Sequence, residues 1–444
     1  AMEWYLKASG SGSADVKYDI GRMYHHGVGV QQDYSKAMEW YLKASDGGVL
    51  AANGTIGHMY RNGLGVEQNY TKAMEWFLKA SEGGDIDARY NIGRMYHRGL
   101  GAKQDYAKAM EWYLKARKGK LARATNNIGY MYFHGHGVQQ DYDKAMEWYR
   151  EASTAGDPEA GCNIGLMYSR GRGVEQDYTK AMEWYVKASD DGSAIARNKV
   201  GLMYFNGLGV KQDFGKAMEW YLKASEGGNI EAKYNVGLMY YHGLGIEQDC
   251  AEAMKWFLKA GNGGVPMAKF HVGNLYYHGL GAEQDYTEAM EWYVKASNSG
   301  VAAAMNKVGL MYEQGIGVKQ DYIKAMEWYA KASGGGAAGA KFSIGRMHHH
   351  GIGVKQDYGE AMEWYLLAAD EEDTDAIYSV GIIYYNGLGI DQDYGRAKKW
   401  FLKADEGGHI QALYPLGNMY ANGLGMKKDL LMAIECYQRA CQEG

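Results

Sequence analysis

Three consecutive imidazoles, His348-His349-His350 within Ile344–Gly351, are the residues of this chain whose type most suggests chemistry. Imidazole ligates metals and carries protons near neutral pH. A zinc site needs three or four ligands converging on one point. Neighbouring residues on a helix point about 100° apart, and no carboxylate or Cys follows the triplet at three or four residues to complete a site. Eight of the thirteen histidines fall in two adjacent columns of the repeat described below: His25, His26, His97, His134, His242, His278, His349 and His350. Other repeats carry Arg61, Asn62, Arg98, Phe133, Arg170, Phe205, Tyr241, Tyr277, Glu313 and Gln314 there. Columns that vary this freely read as partly exposed positions, so no metal and no cofactor is expected.

Other chemical signatures are missing from the sequence. It has no Gly-x-x-x-x-Gly-Lys-Ser/Thr loop, no His-Glu-x-x-His helix, no Gly-x-Ser-x-Gly elbow and no Ser-x-x-Lys pair. Its Gly-x-Gly loops follow a helix rather than a strand, so capping explains them and nucleotide binding is not expected. No catalytic residue is assigned, and the chain reads as a non-enzyme. With 48 basic and 53 acidic residues and a net charge of −5, nothing suggests a nucleic-acid backbone binder. No run of about 18 apolar residues is long enough for membrane insertion. Cys162, Cys250, Cys436 and Cys441 are scattered without framework spacing, which favours a reducing, cytoplasmic compartment. Sequons at Asn53 and Asn69 leave an ER-lumenal or secreted origin open.

The elements that position these residues follow from one period. All 12 tryptophans stand 36 residues apart, from Trp4 and Trp40 to Trp364 and Trp400. Residues 1–9 read as the orphan second helix of a truncated repeat. Residues 10–441 read as twelve tandem units in one continuous solenoid. Residues 406–444 read as a C-terminal cap, which needs a polar outer face.

Each unit reads as two helices. In the unit from Glu82 to Ala116, the first helix carries Ala88, Ile92, Met95 and Tyr96 on one stripe. Gly99 ends it, because glycine adopts the left-handed C′ conformation cheaply. Asp105 caps the second helix, which buries Tyr106, Ala109, Tyr113 and Ala116. Trp112 and Met110 flank that stripe and should meet neighbouring helices. Glu111 and Lys115 should form an i,i+4 ion pair on the outer face. Gly93 sits mid-helix and recurs in every unit. A helical Gly costs roughly 0.8–1.0 kcal/mol relative to Ala, which close helix–helix approach would offset. A lone pair cannot bury its stripe, but stacked pairs can. The expected fold is all-α: a right-handed α-solenoid of antiparallel helix pairs, about 25 helices in all. First helices should line its concave face.

The recurring pattern A-x-Y-N-I-G-x-M-Y-x-x-G-x-G-V-x-Q-D-Y-x-K-A-M-E-W-Y-x-K-A, as at Ala88–Ala116 and Ala232–Ala260, resembles the Sel-one-like repeat (SLR) family, a branch of the tetratricopeptide superfamily. The resemblance implies a scaffold or adaptor in protein–protein interaction. Members assemble membrane-bound degradation complexes, activate cell-wall synthesis, or serve bacterial signalling and host interaction. The family has no shared catalytic residues. Its disulfide-tied branch carries cysteines that this chain lacks.

The first-helix columns pointing away from the core are candidates for binding an extended peptide or partner protein. They hold Arg22, His25, His58, Arg61, Arg94 and His97 in a basic first quarter. An apolar and aromatic middle follows with Tyr130, Phe133, Leu166, Leu202, Phe205, Leu238, Tyr241 and Tyr277, then Arg346 and His349. Arginines would pair acidic ligand residues, and the middle would hold apolar anchors. The alternative is an architectural spacer joined to a catalytic or membrane domain outside this chain. Two inter-unit loops carry opposite charge: Arg117, Lys118, Lys120 and Arg123 against Asp370, Glu371, Glu372 and Asp373. They suggest head-to-tail self-association.

Overall fold

The computed structural model of the protein describes residues 13–443. The orphan segment at residues 1–9 lies outside them. Among the described residues are 24 α-helices and one short 3₁₀ helix, and no strand. The fold is an all-α solenoid of paired helices. The chain divides into two compact units, 1–229 and 230–444. In the first, paired helices run from Ala14–His26 to Phe214–Glu226; in the second, from Ile230–His242 to Leu430–Glu443. Among the described residues no helix is long and apolar enough to cross a membrane.

The ends of each helix follow from single residues. Asp85 accepts from the Ala88 N–H at 2.9 Å and starts helix Ile86–Arg98. Gly99 ends it at φ 68°. Asp105 accepts from the Lys108 N–H at 2.9 Å and starts helix Tyr106–Lys118. Between these helices the Gln104 amide donates to the His97 carbonyl at 2.8 Å, satisfying an acceptor that the helix end leaves open. The same bond recurs from Gln32 to Gln392.

The mid-helix glycines do sit at close approaches. A Cβ on Gly93 would stand 2.7 Å from the Tyr113 ring, and one on Gly201 would stand 2.6 Å from the Tyr221 ring. The contact repeats from Gly21 against Tyr41 to Gly417 against Tyr437. The second loop glycine performs a similar service between repeats. A Cβ on Gly137 would lie 2.6 Å from Tyr106 Cβ in the preceding repeat. Ala109, Tyr113 and Ala116 are buried as expected, whereas Tyr106 is half-buried.

One expectation needs correction. The outer-face lysines do not generally pair with Glu at i−4; among the pairs named by the repeat only Glu291–Lys295 closes, at 3.3 Å. The ammonium instead lies over the Trp three residues earlier, at 4.1 Å for Lys115 on Trp112 and 4.6 Å for Lys43 on Trp40. The lysine stem covers half-buried indole while the charge meets the ring face. Trp112 itself packs back onto the core of residues 73–95. In the final helix, Leu430–Glu443, Leu431 is 80% exposed and Ile434 52% exposed.

Lys120 and Glu372 have φ of 64° and 63°, where neighbouring repeats carry glycine, as at Gly84 and Gly336. Left-handed backbone costs a side-chain-bearing residue free energy. Lys120→Gly is expected to raise stability by roughly 0.5–1 kcal/mol after the entropy lost by glycine. Urea unfolding would show this as a raised midpoint; a lowered midpoint would contradict it.

Candidate partner-binding face

The candidate columns split between packing and display. In unit 1, His25 meets Tyr34 edge-on at 5.2 Å, His97 meets Tyr106 at 5.3 Å, Phe133 meets Tyr142 at 5.2 Å, and Phe205 meets Phe214 at 5.3 Å. In unit 2, Tyr277 meets Tyr286 at 5.2 Å and His349 meets Tyr358 at 5.3 Å. This column therefore closes the helix pair within its own repeat. Tyr241 and Leu238 pack on the cluster around Phe257, and His58 lies edge-on to Phe77 at 5.1 Å. Leu166 and Leu202 are half-buried. Arg22 is exposed and 3.8 Å from Asp19.

A rule across repeats was not visible in the columns taken singly. In two repeats a residue of the His25 column touches the residue 33 positions later, in the Arg22 column of the next repeat. His97 thus meets Tyr130, with ring centroids 5.7 Å apart. Glu313 accepts from Arg346 at 2.6 and 2.7 Å and from the Tyr329 hydroxyl at 2.7 Å. Arg346 is therefore already paired within the fold. Arg61 and Arg94 occupy the same two positions, with no carboxylate between them.

In unit 1 these side chains line two adjoining cavities. One, about 260 Å³, is lined by Arg61, Asn91, Arg94 and Arg98. The other, about 910 Å³, shares Arg94 and Arg98 and adds Tyr90, His97, Asn127, Tyr130, Asp157 and Glu159. Arg98, Tyr90, Asn127, Asp157 and Glu159 were not among the binding candidates read from the sequence. Arg98 was within reach, because it follows Arg94 by one helical turn. Asp157 caps helix Pro158–Arg170 through one oxygen, while its other oxygen is buried without a partner. Burial raises the pKa of both Asp157 and Glu159. His97 Nε2 lies 3.2 Å from His136 Nδ1, and burial, then His136, pushes its pKa down to about 4.

The charged loops are partly consumed within the chain. Arg117 grips Glu151 at 2.8 and 3.1 Å and lies over Trp148. Arg123 pairs with Asp87 at 2.9 Å. Glu371 pairs with Lys341, and Asp373 caps helix Thr374–Asn386. Lys118, Lys120, Asp370 and Glu372 remain exposed. Among the described residues, no group of three or more His, Cys, Asp or Glu is placed to hold a metal ion.

His271 is enclosed by Tyr234, Tyr241, Phe257 and Phe270, stacked on Phe257 at 4.9 Å. Burial, then His242, pushes its pKa from 6.5 to about 4. The unfolded chain takes up this proton near pH 6.5 and the folded chain does not, so stability falls as pH drops from 6.5 towards 4. His271→Phe is expected to flatten that slope in urea midpoints measured across the window. An equal slope in both proteins would contradict the assignment.

The Sel1 repeat family model matches residues 1–13, 14–49 and 54–85, then ten further segments from 86–120 to 410–444. The chain matches no curated protein. It is similar to a solved protective antigen of uropathogenic Escherichia coli, c5321, which displays an SLR fold. The identity is 30%, with 100% of this chain and 95% of that chain covered, and the TM-score is 0.61. A Sel1 repeat protein from Oxalobacter formigenes is 28% identical, over 70% of this chain and 90% of that one, with a TM-score of 0.54. With the repeat matched along its length and its helix pairs stacked as described, the chain belongs to the Sel1 repeat family.

Proposed function

We propose that this chain is a non-enzymatic scaffold whose first-helix face binds an extended peptide or an extended segment of a partner protein. Sel1 repeat proteins generally mediate protein–protein interaction, and this reading adds where the contact falls. The observation that carries it is the pair of adjoining cavities in unit 1, lined by first-helix arginines that, among the described residues, have no carboxylate within ion-pair distance. Arg61, Arg94 and Arg98 supply planar donors for acidic groups. Tyr130, 38% exposed, and Tyr90 supply aromatic surface beside them. Phe133, Phe205 and Tyr277 contribute mainly by holding the helix pairs closed.

Peptides selected by display against the intact chain should be rich in acidic and aromatic residues. Arg61→Glu combined with Arg94→Glu should weaken them by about tenfold or more, since a charge-assisted hydrogen bond contributes roughly 1.5–3 kcal/mol. Circular dichroism would check that the variant is folded. Unchanged affinity in the folded variant rejects this face.

A further inference from the structure

We infer that the pocket between helices Leu50–Asn62 and Ile86–Arg98 receives a phosphoryl group carried on a peptide. The proposal rests on the scaffold reading above and names the chemistry of its ligand. Its starting point is the comparison of equivalent positions. Glu313 and Arg346, 33 residues apart, bring carboxylate and guanidinium into contact at 2.6 Å. Arg61 and Arg94 stand in the same relation, so the fold aims two guanidiniums at one place. The second-helix ring beside them is Phe77, where the other pair has Tyr329. Position 77 therefore supplies no hydroxyl to a bound anion.

Arg98 brings a third cation, one turn from Arg94 on the same helix. Like charges at that spacing repel. Among the described residues, none of the three arginines has a carboxylate within ion-pair distance, and the nearby Asp87 is held by Arg123 at 2.9 Å. The helix C-termini favour cations at Arg61 and Arg98, but Arg94 lies inside its helix. Arg61 is also pre-set. Its Nη1 donates to Asn91 Oδ1 at 2.7 Å, and Asn91 Nδ2 donates to the Asp87 carbonyl at 2.8 Å. These neutral acceptors fix the guanidinium and leave its charge uncompensated.

A carboxylate would cancel one of three charges. A phosphate monoester brings about −1.5 to −2 and three acceptor oxygens, which suits three guanidiniums. The pocket of about 260 Å³ has room for that group. It shares Arg94 and Arg98 with the larger cavity, whose lining by Tyr90 and Tyr130 offers surface to flanking peptide residues. That surface favours a peptide-borne phosphoryl group over a free anion.

The test is calorimetric titration of the intact chain with a positional-scanning nonapeptide library built on a central phosphoserine. The same library with Ser or Asp at the centre, and inorganic phosphate, are the comparisons. The phosphoserine form should bind about tenfold or more tighter than each of these three. Arg94→Gln and the exposed Arg98→Gln should each remove most of that advantage without moving the thermal midpoint. Arg61→Lys should remove part of it, because Lys keeps the charge and loses the fork. Equal binding of the Ser and phosphoserine forms overturns the proposal, as does equal binding in the Arg94→Gln variant. Inorganic phosphate binding as tightly as the phosphopeptide overturns the peptide carrier. If display-selected peptides bind the face while phosphoserine adds nothing, this inference falls and the scaffold reading stands.

Discussion

The structure depends on one contact: the bare Cα of a first-helix glycine against the aromatic ring of its partner helix. The glycine weakens its own helix, and an Ala there would drive a methyl carbon into the ring at 2.6–2.8 Å. That contact sets the spacing within a pair. The second loop glycine sets the spacing between repeats, because its missing side chain lets the loop lie on the preceding repeat. Gln-to-carbonyl bonds then join the two helices across the loop in the pairs from Gln32 to Gln392. With these three devices repeated, the outward columns of the first helices are presented at fixed intervals. The proposed partner-binding face is a consequence of that regularity.

Regular presentation makes local chemistry a matter of substitution. The same two positions hold Glu313 with Arg346 in unit 2 and Arg61 with Arg94 in unit 1. In the first case the charges close on each other and tie adjacent first helices together. In the second they face a shared space. One scaffold therefore carries a structural ion pair and an open cationic pocket with no change of backbone.

Much of this was legible in the sequence, because the signals were local and repeated. The Trp period repeats every 36 residues without a slip, and the Asp caps and Gly99-type stops depend on residues a few positions apart. The helical glycines could be read as close approaches because their cost needed a cause. The choice among side-chain contacts was not legible. Lys115 could reach Glu111 or Trp112 from the same backbone, and only packing against the neighbouring core favours the ring. Phe133 and Phe205 could equally have held a ligand or packed, and the fold turns them toward Tyr142 and Phe214. Arg346 looked available because its partner, Glu313, lies 33 residues away. The charged loops likewise looked free, although Arg117 and Asp373 are held inside the chain.

The central constraint is open to a double-mutant cycle at Gly201 and Tyr221. In the otherwise unaltered chain, Gly201→Ala should destabilise by about 1–3 kcal/mol, because overpacking outweighs the better helix propensity of Ala. In a Tyr221→Ala background the ring is gone, and the same substitution should stabilise by up to about 1 kcal/mol. Urea unfolding of the four proteins gives both values. A reversal of sign is the result this account predicts. The same effect of Gly201→Ala in both backgrounds would contradict it.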